Sequence, residues 1–63
     1  MKGFAELHTE DGQPMFVRPE EVVTVTSTLG GGSYVITRSG PHILVSEPPY
    51  EVSSKLEFVQ SQL

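Results

Sequence analysis

The chain has no cysteine and no tryptophan, only two histidines and four basic residues, and no apolar run near the ~20 residues that span a bilayer. Each absence removes a class of protein. Without cysteine, neither a disulfide nor a thiolate metal site can staple a chain of 63 residues, and a domain of that size buries only about 60% of the surface its unfolded form exposes. Association with another subunit is the remaining common device. His8 and His42 stand 34 positions apart with no His-x₃-His spacing, so neither a metal centre nor any cofactor is expected. Four Lys/Arg against eight Asp/Glu give a net charge of −4, which opposes the counterion release that drives generic binding to duplex nucleic acid and the attraction to anionic membranes. A basic ligand or protein surface is the better complement. The opening Met1-Lys2-Gly3-Phe4-Ala5-Glu6 lacks the apolar segment of a secretory signal, so the expectation is a soluble, cytoplasmic protein.

What is present reads mainly as strand. Phe4 to Thr9 is a first strand with Ala5 and Leu7 on one face. Glu10-Asp11-Gly12-Gln13 then turns the chain, so that Pro14-Met15-Phe16-Val17 returns antiparallel. Arg18-Pro19-Glu20-Glu21 interrupts the pattern as a tight turn. From Val22 to Leu29, Val23, Val25 and Leu29 fall on one face and Thr24, Thr26 and Thr28 on the other. Gly30-Gly31-Gly32-Ser33 is a flexible turn into a hairpin of Tyr34–Thr37 and His42–Val45. A two-residue Ser39-Gly40 loop there would put Tyr34, Ile36, Ile43 and Val45 on one face and Val35 and Leu44 on the reverse. The period then changes. Val52, Leu56, Val59 and Leu63 form one stripe of an amphipathic helix from about Pro48 to Gln60, with Ser46 as N-cap, Glu47 complementing the helix N-terminus and Glu51 and Lys55 as an i,i+4 pair. The expected fold is a single domain over residues 1–63: mainly β, a small antiparallel sheet or partly closed small β-barrel of about five strands with a C-terminal α-helix.

No constellation for catalysis stands out. Glu10-Asp11 and Glu20-Glu21 are adjacent turn carboxylates, normally solvated, whereas acid/base work needs carboxylates with separated pKa values in a cleft. The serines lack a Gly-x-Ser-x-Gly elbow. Gly30-Gly31-Gly32-Ser33 lacks the lysine and following helix of a phosphate loop. The five aromatics have too few basic neighbours for a single-strand binder. A non-enzymatic protein is expected.

The order strand, Asp11-Gly12 turn, Phe16 strand running into Pro19-Glu20, Val23-Val25 strand, Val35-Ile36 hairpin with Ser39-Gly40, and a helix carrying Glu47, Val52 and Leu56 resembles the FlbD family of small flagellar and swarming-motility proteins. The hairpin and helix are also similar to the end of LytTR-type domains, which bind DNA, although this chain is shorter and poorer in basic residues. The resemblance covers nearly the whole chain but no ligand motif, and implies a motility-associated accessory role. Gly30-Gly31-Gly32 and Pro48-Pro49 depart from the flagellar pattern and leave room for a mobile-element relative with another role. The expected function is a homo-oligomeric protein-interaction module, an adaptor or regulator contacting itself and a further protein, with Tyr34, Val35, Ile36, Ile43, Leu44 and Val45 as candidate interface. The alternative is a Sm-like small β-barrel oligomer binding a nucleotide or short RNA, which would need Arg18, Gly30, Gly31, Gly32, Ser33 and Arg38 to converge between subunits.

Overall fold

The computed structural model of the chain describes residues 3–62. Strand β1 (Ala5–His8) pairs with β2 (Pro14–Val17), and β3 (Val22–Ser27), β4 (Ser33–Thr37) and β5 (His42–Val45) form a second antiparallel sheet in that order. A single 3₁₀ turn, Pro19–Glu21, joins the sheets, and helix α1 (Pro49–Ser61) follows the last strand. Alternation of side chains gives each sheet one buried face. Ala5, Leu7 and Val17 from the first sheet, Val35 and Val45 from the second, and Val52 from the helix form the buried core. The sheets meet where the Ser46 N–H, just past β5, donates to the His8 carbonyl of β1 at 2.8 Å, and the Arg38 N–H ties the β4–β5 loop to the 3₁₀ turn by donating to the Glu21 carbonyl at 2.7 Å. The result is mainly β, two small sheets under one helix, and not a closed barrel.

All three hairpins close in the same way. In Thr9–Gln13, Thr28–Gly32 and Thr37–Pro41 the fourth residue is a glycine with positive φ (Gly12, Gly31, Gly40) whose N–H donates to the threonine carbonyl, while the threonine N–H donates to the carbonyl of the fifth residue. This is the three-residue hairpin loop, a turn followed by a left-handed residue that glycine adopts without a Cβ penalty.

That loop corrects the expected faces of the β4–β5 hairpin. With Arg38, Ser39 and Gly40 in the loop, Tyr34 pairs with Leu44, Val35 with Ile43 and Ile36 with His42. The register therefore differs by one residue from that of a two-residue turn, which exchanges the facing sets. Ser33, Val35, Thr37, Ile43 and Val45 face inward, and Tyr34, Ile36, His42 and Leu44 outward. Strand β3 also departs from strict alternation. A register shift between Val22 and Thr24 turns both Val22 and Val25 to the core, leaving Val23 59% exposed, while Thr24 and Thr26 face outward. Leu29 lies in the loop, fully exposed.

The helix starts within one residue of the expected position, with Pro48 as an extended N-cap and Pro49 in the first turn, where its missing N–H is tolerated. Glu51 and Val52 N–H groups both donate to the Pro48 carbonyl at 3.0 Å. Ser46 does not cap the helix, because the N-cap position falls two residues later at Pro48, and its backbone N–H instead donates to β1. Val52 is fully buried, and Leu56 and Val59 pack beside it. Leu63, the last residue of the expected stripe, lies outside the described residues.

Candidate functional site

Glu47 is the most deeply buried charged side chain among the described residues, at 6% exposure. The two prolines after it keep the chain extended, so its carboxylate turns back under the sheet junction instead of complementing the helix. The His8 N–H donates to Glu47 Oε1 at 3.0 Å, the His8 ring lies 2.7 Å from Oε2 through Nδ1, and Lys55 Nζ reaches Oε2 at 3.3 Å. The Glu47 carbonyl accepts from Ser33 Oγ at 2.7 Å. One residue thus ties β1, β4 and α1 together. Lys55 also donates to the Glu6 carbonyl at 3.1 Å and lies 3.7 Å from Glu51, the expected i,i+4 pair, while His8 Nε2 lies 3.4 Å from Glu6.

Burial pushes the Glu47 carboxyl up, but hydrogen bonds from the His8 ring, the His8 backbone N–H and Lys55 outweigh it and hold the pKa at about 2. Since Glu47 is ionised at neutral pH, His8 Nδ1 must carry a proton and donate it. A carboxylate this acidic is a poor general base near neutrality, so the cluster is suited to holding elements together rather than moving protons. At the β1–β2 turn, Asp11 is likewise lowered, first by the Thr9 hydroxyl that donates to it.

Above this cluster an open groove of about 530 Å³ runs between β1 and α1. Phe4 and Ala5 line it from the strand side and Phe58 and Val59 from the helix, with Glu6 and Glu51 also on its surface. Phe58 is 66% exposed. The Arg18 guanidinium lies 4.5 Å from the centre of the Phe4 ring, with Glu20 3.8 Å from it.

The residues proposed from sequence are distributed differently. Val35 and Val45 are fully buried and Ile43 is packed against them, so of the six candidate interface residues only Tyr34, Ile36 and Leu44 occupy the outer face of the three-stranded sheet. Gly30, Gly31 and Gly32 lie in the β3–β4 loop, and Ser33 is buried beneath it. Arg38 lies in the loop at the other end of β4, donating through Nη2 to the Glu20 carbonyl at 3.2 Å, and Arg18 flanks the same glutamate. Within one chain the glycine loop and the two arginines do not converge. His42 sits on the outer face and His8 in the Glu47 cluster, and among the described residues no group of His, Asp and Glu is arranged to hold a metal ion. No helix among the described residues is long and apolar enough to cross a membrane.

The groove and the Glu47 cluster were not anticipated from sequence. The available signal was Pro48-Pro49, which postpones the helix and so releases Glu47 from it. Comparison with protein-family models, curated proteins and solved structures finds no match for this chain. The class established here is therefore a structural one, a small two-sheet β domain with a C-terminal helix.

Proposed function

We propose that the chain is a non-enzymatic, homo-oligomeric interaction module that pairs with a second copy through the outer face of the β3–β4–β5 sheet. The observation that carries this reading is the segregation of charge. All eight carboxylates lie outside residues 22–45, and the outer face of that sheet presents Thr24, Thr26, Tyr34, Ile36, His42 and Leu44. A chain of net charge −4 repels its own copy, so self-association is favoured where carboxylates are absent and apolar surface is exposed. Tyr34 is 44% exposed there. The layout resemblance to small motility proteins supports an accessory role in such an assembly.

Three strands about 4.8 Å apart and roughly five residues long offer a footprint near 14 by 17 Å, smaller than a standard interface. Association through it is accordingly weak. Light scattering from about 10 μM to 1 mM should show mass rising with concentration, and Tyr34→Glu should abolish the rise. A monomer throughout that range, or a rise unaffected by Tyr34→Glu, contradicts the proposal.

A further inference from the structure

We infer that the groove between β1 and α1 is a docking site for a basic segment of another protein, one that inserts a large apolar side chain between Phe4 and Phe58. This surface is separate from the sheet face assigned to self-association. Its walls supply apolar area that the chain itself leaves open: Phe58 is 66% exposed, and partly buried Val59 lines the groove beside it, on a helix whose Val52 and Leu56 are spent on the core. Exposed aromatics beside a concavity are the usual anchors of a protein contact.

Charge selects the occupant. Glu6 and Glu51 line the groove and Glu47 pairs with two of its lining residues, Lys55 and His8, so the sum is negative whether or not His8 carries a second proton. The Lys55 ammonium is already shared among Glu47, Glu51 and the Glu6 carbonyl, and has little left to offer an anion. Arg18, on the Phe4 ring, is offset by Glu20. The carboxylates oppose an acidic peptide or an anionic lipid surface and attract arginine or lysine. The lower edge of β1 is also closed, since His8 N–H, His8 carbonyl and Glu6 carbonyl are taken by Glu47, Ser46 and Lys55. The occupant therefore binds through its side chains and does not extend the sheet.

The test is fluorescence anisotropy of the intact chain with a short labelled peptide alternating arginine and leucine. Glutamate–leucine and arginine–serine peptides of equal length serve as comparators. The arginine–leucine peptide should bind saturably, each comparator at least roughly tenfold more weakly. Phe58→Ser should weaken binding by a similar factor, Glu51→Gln should weaken it and flatten its salt dependence, and Tyr34→Ser should leave it unchanged. Both groove residues are partly or largely exposed, so their variants keep the fold, which circular dichroism verifies. Absent saturation, equal binding of the glutamate–leucine peptide, or binding indifferent to Phe58→Ser would overturn the inference. Self-association lost in Phe58→Ser but kept in Tyr34→Glu would also overturn it, by assigning the groove to a second copy.

Discussion

Replacing Glu47 by glutamine tests the cluster that joins the two sheets to the helix. The side chain keeps its shape, but its amide loses the charge that draws Lys55 and presents a donor toward His8 Nδ1–H. The Glu47 pKa falls from 4.5 to about 2 on folding, and at ~1.4 kcal/mol per unit the ionised form contributes about 3 kcal/mol. A 63-residue domain has a total stability of roughly 3–9 kcal/mol at typical per-residue values, so the loss at pH 7 is a large share of the whole. Because the folded-state pKa lies below the unfolded one, this contribution is complete well above pH 4.5, shrinks as pH falls toward 2, and vanishes below that. Urea denaturation followed by circular dichroism at pH 7, 4 and 2.5 should show wild type well above Glu47→Gln at pH 7 and the two converging at the acid end. A variant within about 0.5 kcal/mol of wild type at pH 7, or a gap that persists unchanged to low pH, would refute the reasoning.

The remaining predictions concern packing. A Cβ on Gly32 would stand 2.3 Å from the Val45 carbonyl oxygen, whereas at Gly30 the nearest atom is Thr28 Oγ1 at 4.0 Å. Gly32→Ala should therefore cost about 1–3 kcal/mol and Gly30→Ala less than about 0.5, compared by urea midpoints. Leu7→Ala, at a side chain 1% exposed, should cost about 2–5 kcal/mol, and Val52→Ala, fully buried on the helix, about 2 kcal/mol. An unchanged midpoint for Val52→Ala would remove the helix from the core.

Periodicity carried much of the fold. Alternation in Ala5–His8, the Asp11-Gly12 turn and the Val52, Leu56, Val59 stripe each specify an element that forms locally and then packs as patterned. The structure departs from the sequence pattern where one residue changes the parity. Reading Ser39-Gly40 as a two-residue loop exchanged the faces of β4 and β5, although Thr37 followed three residues later by Gly40 repeats the spacing of Thr9 to Gly12 and Thr28 to Gly31. The bulge at Val23 inverted part of β3 because a Val-Val pair satisfies either face. The groove was illegible for a different reason: His8, Glu47 and Lys55 are separated by 39 and 8 positions, and only tertiary packing brings them together.

The carboxylate-free sheet face as a self-association surface is tested most directly by single-cysteine trapping, since the chain has no cysteine of its own. Thr26→Cys places a thiol on that face beside Tyr34, and Ser54→Cys places one on the exposed helix beside the groove. With a short bismaleimide at the same protein concentration, Thr26→Cys should form covalent dimers that disappear when Tyr34→Glu is added, while Ser54→Cys should remain monomeric. Equal trapping at both sites, or Thr26→Cys dimers undiminished by Tyr34→Glu, would contradict it.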